Sequence, residues 1–175
     1  MTIDPFMAFA VRGAFATLMS AAAAHKLRDA SDFRQAVENY RILPAIAVPA
    51  AARLIPVVEA AAAALTLSGN PIGLLAIAGL LLLYAAAIAI NLKRGHRHID
   101  CGCLAFGKVG QPINILMVAR NLLFAATALA IAASATADRP LTWIDWLGIL
   151  CAIIATALLY GIVEAAMPQV REIKS

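Results

Sequence analysis

Residues 71–92 read PIGLLAIAGLLLLYAAAIAINL, an apolar run in which no residue carries a formal charge. At a rise of ~1.5 Å per residue it forms a helix about 33 Å long, enough to cross the ~30 Å hydrocarbon core of a bilayer. Its start is marked by Ser68-Gly69-Asn70-Pro71, a tight-turn signal. The apolar run before that turn, about Pro44 to Ser68, must therefore lie antiparallel to it. The polar stretch Lys93 to Pro112 closes the run on its other side.

The remainder of the chain has the same character. Of its 175 residues 63% are hydrophobic and 14% charged, with a mean hydropathy of +0.85, against roughly half apolar and a quarter charged in soluble domains. That balance excludes the water-soluble classes and leaves room for four or five bilayer crossings. The expected architecture is an all-α integral membrane protein, one membrane domain over residues 1–175. Five transmembrane helices are expected at about 5–24, 44–68, 71–92, 113–133 and 143–162, four of them an antiparallel bundle. Pro49 and Pro56 should kink the second helix, and Trp143 and Trp146 are placed like an interfacial aromatic belt. Between His25 and Leu43 the polarity rises. There Phe33, Val37, Tyr40 and Leu43 recur at three- and four-residue steps among Arg34, Gln35, Glu38, Asn39 and Arg41, which predicts an interfacial amphipathic helix. The first run is not a signal peptide, because Asp4 precedes it and Arg12 interrupts it.

The net charge of +4 does not indicate nucleic acid, since most of the Lys and Arg crowd two connecting segments. That distribution suits anionic lipid and membrane orientation. With five crossings, Lys26, Arg28, Arg34, Arg41, Lys93, Arg94, Arg97, Lys108, Arg171 and Lys174 share one side, against Arg139 opposite. The positive-inside rule then puts the 93–112 loop at the cytoplasmic face and the N-terminus outside. Some of those cations could instead be there to serve the loop's own chemistry.

That loop holds two of the three cysteines, in the stretch His98-Ile99-Asp100-Cys101-Gly102-Cys103. Cysteines two apart can close a strained, labile disulfide. Gly102 supplies permissive dihedrals, and Lys93, Arg94, His96, Arg97 and His98 favour thiolate over thiol, with Asp100 opposing them. This is the profile of a thiol/disulfide exchange site, with two small residues of no chemical role as the plain alternative. His96, His98, Cys101 and Cys103 also supply four ligands within eight residues, so zinc is a further alternative, at tighter spacing than usual zinc pairs. Charges at membrane depth need a partner or a task. Arg12 and Glu59 fall at similar depths by residue count and are expected to form an ion pair on facing helices. Arg53 and Arg120, with Tyr84 at comparable depth, lie within about two and a half turns of the Cys loop. Snorkelling explains them simply. The sharper expectation is a positive recess that stabilises a thiolate or an anionic ligand such as a reduced quinone. Cys151 reads as an ordinary packed cysteine.

Arg12, the Lys26–Pro44 segment with Phe33, Tyr40 and Leu43-Pro44, Pro56 with Glu59, and His98-Ile99-Asp100-Cys101-Gly102-Cys103 ahead of Phe106-Gly107 together resemble the methylamine utilisation MauE family, within the wider MauE/DoxX group of redox-associated membrane proteins. The resemblance runs from the first helix through the fourth. It departs in the loop, where Leu104-Ala105 intervene before Phe106-Gly107. It implies an accessory protein that matures the disulfide-dense small subunit of methylamine dehydrogenase, acting with MauD, a thioredoxin-like periplasmic partner. The implied client lies outside the cytoplasm while the charge count puts the cysteines at the cytoplasmic face. Either reducing equivalents are relayed across the membrane or the orientation is inverted. A non-catalytic scaffold for the maturation partner is the alternative from another class. A transporter is a weaker one, because the chain is short and has no evident repeat.

Overall fold

The computed structural model describes residues 2–96 and 113–166. Helix α1 spans Pro5–Arg28, α2 Ala30–Asn39, α3 Val48–Leu67, α4 Pro71–Lys93, α5 Ile115–Ala132 and α6 Trp143–Ala166, with a 3-10 turn at Ala45–Ala47 leading into α3. Four of these helices, α1, α3 with its lead-in, α4 and α5, are long and apolar enough to cross a membrane, and α6 is a further apolar helix. The protein is therefore an all-α, multi-pass membrane protein.

The helix boundaries follow from local chemistry. Asp4 caps α1 by accepting from the Phe6 amide at 2.8 Å, with Pro5 in the first turn. Asn70 does the same for α4 through Ile72 at 2.9 Å, ahead of Pro71, and Asn114 for α5 through Met117 at 3.0 Å. The α3–α4 turn passes through Gly69 at φ +81°, a left-handed conformation glycine adopts without cost. Pro49 stands in the first turn of α3, where no helical hydrogen bond is lost, so it starts the helix instead of kinking it; Pro56 alone is interior. Helix α1 continues through His25 and Lys26, where rising polarity predicts its end.

The core is shared by four helices. Phe15, Ala16 and Met19 of α1, Ala62 and Ala63 of α3, Leu74, Ile77, Ala78 and Leu81 of α4, and Ala125 and Ala128 of α5 form one buried cluster. Phe15 meets Phe124 edge-on at 6.1 Å. Alanine predominates because helices packing in lipid gain by close backbone approach. Helix α4 packs between α3 and α5, and α1 between α3 and α6. Large apolar side chains such as Leu54, Leu67, Leu123 and Leu158 point outward, as a lipid-facing surface requires.

The two ends of the bundle differ. At one end, two-residue strands β1 (Thr2–Ile3) and β2 (Ala135–Thr136) pair in parallel. Arg139 donates to Asp4 at 3.0 and 3.2 Å and to Asp145 at 2.9 and 3.1 Å. Those hydrogen bonds hold the Asp4 carboxyl below the usual carboxylate range. The clasp puts the start of α1 and the α5–α6 link on one face. At the opposite end, α4 runs out toward residues 97–112 and α5 begins beyond them.

Close approach at the α3–α4 hairpin is exacting. A Cβ on Gly73 would sit 2.7 Å from the Leu65 carbonyl carbon and closer still to Thr66, whereas one on Gly79 meets nothing within 4 Å. Gly73→Ala should lower stability by ~1–3 kcal/mol through this overlap, while Gly79→Ala should leave it unchanged or raise it. Thermal unfolding of the two variants in detergent, followed by helicity, checks the contrast.

Candidate functional site

The buried stripe of α1 runs Phe15, Ala16, Met19, Ala22, Ala23 and then Lys26. The spacing of three and four residues carries the core face straight into a cation. Lys26 is 3% exposed and Glu59 of α3 is 0% exposed. Their ammonium and carboxylate form an ion pair at Glu59 Oε1, which also accepts from the Tyr84 hydroxyl of α4. Lys26 Nζ also donates to Tyr84 Oη at 3.2 Å. The ammonium lies 5.1 Å from the Phe33 ring centroid of α2 and 4.8 Å from that of Tyr84. Four helices thus meet at one charged point. In low dielectric neither charge is tolerable alone, so the pair fixes how α1, α3 and α4 register against each other.

Helix α2 leaves this point and runs toward the end of α4. Its buried residues Phe33 and Ala36, followed by Tyr40, face inward, while Arg34, Gln35 and Glu38 are exposed. At its far end the Asn91 amide of α4 donates to the Tyr40 carbonyl at 3.1 Å, and Arg94 donates to the Arg41 carbonyl at 3.1 Å. Arg41 takes φ 48°, the left-handed turn that lets the chain reverse into α3. Between α2, α3 and α4 this leaves an apolar cavity of about 270 Å³.

The expected pairing of Arg12 with Glu59 is not formed. Arg12 donates instead to the Gly69 carbonyl in the α3–α4 turn, and Glu59 takes Lys26. Counting depth from helix starts fails because the first residues of α1 extend past that turn, to where Phe9 meets Trp146 of α6. Lys26 was overlooked as a partner because it sits among polar residues in sequence; its place on the Phe15–Ala23 stripe is the signal that would have found it. Arg53 is exposed on α3 and Arg120 half-buried on α5, and neither is among the residues that line the cavity. Tyr84 is drawn into the Glu59 network. Cys151 is free and exposed on α6, not packed inside. Arg97, His98, Asp100, Cys101, Gly102 and Cys103 lie outside the described residues, as does the zinc alternative that rests on them. What the described residues fix is the pair of helix ends, α4 at Lys93 and α5 at Ile115, between which that segment is strung.

The family described as methylamine utilisation protein MauE matches the chain over residues 4–134. The chain is 42% identical to the methylamine utilization protein MauE of Paracoccus denitrificans over 141 residues, 79% of this chain and 75% of that protein. It is 39% identical to that of Paracoccus versutus over 139 residues, 78% and 74% of the two chains, and 39% identical to that of Methylophilus methylotrophus over 106 residues, 59% and 56%. No solved structure matches it.

The buried pair makes a sharp prediction. Lys26→Met or Glu59→Gln alone should cost ~3–5 kcal/mol, each leaving a charge uncompensated in the bundle, whereas the double variant should recover much of that loss. Unfolding in mixed detergent micelles measures the cycle, and an additive double variant would show that the two groups do not interact.

Proposed function

The chain belongs to the MauE family and takes part in methylamine utilisation, and from that premise we propose that it is a membrane thiol/disulfide exchange protein supporting disulfide formation in the small subunit of methylamine dehydrogenase. The observation that carries this reading is the pair Cys101 and Cys103, separated by one glycine, in the segment strung between the ends of α4 and α5. A family match over residues 4–134, from α1 through α5, supports it. The membrane is the bacterial cytoplasmic membrane, and the partner is a thioredoxin-fold, MauD-like protein that hands oxidising equivalents to the client.

Exchange proceeds in balanced steps. A partner thiolate attacks the Cys101–Cys103 disulfide, forming a mixed disulfide and releasing one of the two cysteines as thiolate. The partner's second thiolate then attacks its own bonded sulfur, so the partner leaves oxidised and Cys101 and Cys103 remain as the dithiol. Lys93 and Arg94 at the end of α4 supply positive charge close in sequence to the pair, which favours the thiolate forms. Direct exchange requires the pair and the partner on one side of the membrane, so the loop face of the bundle is the periplasmic one. Against that stands the count of cations, reduced by one because Lys26 is paired with Glu59 inside the bundle.

Changing the second, resolving cysteine of the thioredoxin-fold partner to Ser should trap its mixed disulfide with Cys101 or Cys103, visible on non-reducing gels, and changing Cys101 or Cys103 to Ser should abolish maturation of the dehydrogenase. A membrane-impermeant maleimide should label the reduced pair in intact cells. Wild-type maturation by the double Cys-to-Ser variant would leave only a docking role.

A further inference from the structure

The cavity between α2, α3 and α4 opens toward lipid. Its mouth is formed by Ile42, Leu43, Leu54 and Leu83, all exposed on the outer surface at 38–61%, so a molecule dissolved in the bilayer enters without crossing water. The rings of Phe33 and Tyr84 line it and also flank the Lys26 ammonium. Neither Lys26 nor Glu59 is among the lining residues; the two rings wall the buried pair off. The interior offers an occupant hydrocarbon contact, which is what an alkyl chain uses.

The end of the cavity has the opposite character. Arg41 stands in sequence between Tyr40 and Ile42, both of which line the cavity, and its carbonyl accepts from the Arg94 guanidinium at 3.1 Å. Lys93 is the last residue of α4, next to Arg94. All three cations are exposed, and among the described residues none forms an ion pair with an acid. Glu38 is exposed on α2, a helix that turns Phe33, Ala36 and Val37 toward the cavity; the helical period puts Glu38 on the opposite face. Arg94 caps α4 eleven residues beyond Leu83, about 16 Å along the axis at the α-helical rise. That is close to half of the ~30 Å hydrocarbon core, the depth an acyl chain covers from its headgroup to the bilayer midplane.

An apolar segment of another protein would fill the cavity and leave the cations unused. A molecule that carries an anion at one end of an alkyl chain, one leaflet deep, uses both. We infer that this cavity holds one acyl chain of an anionic phospholipid, with the lipid phosphate at Arg41 and Arg94. The guanidinium fork matches phosphate oxygens, and Lys93 adds charge that favours anionic over zwitterionic headgroups. A volume of about 270 Å³, near the lower limit of about 300–1,000 Å³ typical of ligand pockets, takes one chain and leaves the second in the bilayer. The bound lipid joins α2 to α3 and α4 where α2 stands off from them. This inference is independent of the cysteine chemistry.

The test uses delipidated full-length protein in detergent, titrated with phosphatidylglycerol or phosphatidylcholine of identical chains and read by native mass spectrometry. Phosphatidylglycerol is expected to bind at least about tenfold more tightly and to raise the unfolding temperature as it saturates. Glycerol phosphate, which has the anion and no chain, should not compete. Ala51→Phe and Ala87→Phe, which fill the cavity from α3 and α4, should each weaken phosphatidylglycerol binding about tenfold or more, and Leu123→Phe on the outer face of α5 should not change it. Arg41→Gln/Arg94→Gln should bring phosphatidylglycerol down to the phosphatidylcholine level, and Arg41→Lys/Arg94→Lys should keep the preference. Circular dichroism confirms that each variant retains its helices. A phosphatidylglycerol with a diazirine in one chain should label wild-type peptides holding Val37–Leu43 or Leu83–Ala87. Equal binding of the two lipids, competition by glycerol phosphate, or label spread evenly over the outer surface would overturn the site. So would indifference to both filling variants, or cross-links from Leu54 and Leu83 to a second copy of the chain in place of lipid.

Discussion

A lysine and a glutamate that no water reaches organise this membrane protein. Lys26 and Glu59 come from helices adjacent in space but 33 residues apart in sequence, and the tyrosine that joins them comes from a third helix. In water such a pair contributes little; within a bundle surrounded by hydrocarbon, separating it exposes both charges to a medium that solvates neither. Apolar packing among alanines is tolerant of sliding, because small side chains present a nearly uniform surface. The ion pair is directional and unique, so it supplies the register that the alanine-rich interfaces leave undetermined. Phe33 covering the ammonium extends the same constraint to α2, whose far end is held by Asn91 and Arg94 of α4.

The placement of that charged point also gives the molecule two unlike halves. On the side of the Gly69 turn the bundle is closed by small residues, the Arg12 contact to the turn, and the strand pair with its Asp4–Arg139–Asp145 clasp. On the side of the cysteines, α2 stands off from α3 and α4 and leaves the cavity. The packing is therefore least complete at the end of the bundle from which the 97–112 segment leaves.

Much of the fold could be read directly from the chain. Uncharged runs long enough to cross a bilayer, Asn and Asp caps followed by proline, and the Ser68–Pro71 turn are local signals, and local physics decides them. The pairing of buried charges could not be read in the same way, because it depends on how far each helix is displaced along the membrane normal. Equal residue counts suggested Arg12 for Glu59; the overhang of α1 beyond the turn moved Arg12 to a backbone carbonyl and brought Lys26 into place. The recess expected beneath the Cys loop, with Arg53 and Arg120, borders residues outside those described, so the described helices alone do not decide it. The cysteine pair is an expectation from its spacing and neighbours and lies outside the described residues.

Helix α6 touches the bundle through α1, and the clasp that secures this contact joins residues 135 positions apart. During synthesis α1 leaves the ribosome well before α6, so one flank of α1 stays open to lipid while the helices between them insert. A chain stalled before Trp143 would already hold the complete Lys26–Glu59–Tyr84 network but would present that bare flank to other membrane segments. Biogenesis is thus ordered by geometry, with the polar centre assembled early and the outer seam sealed at the end.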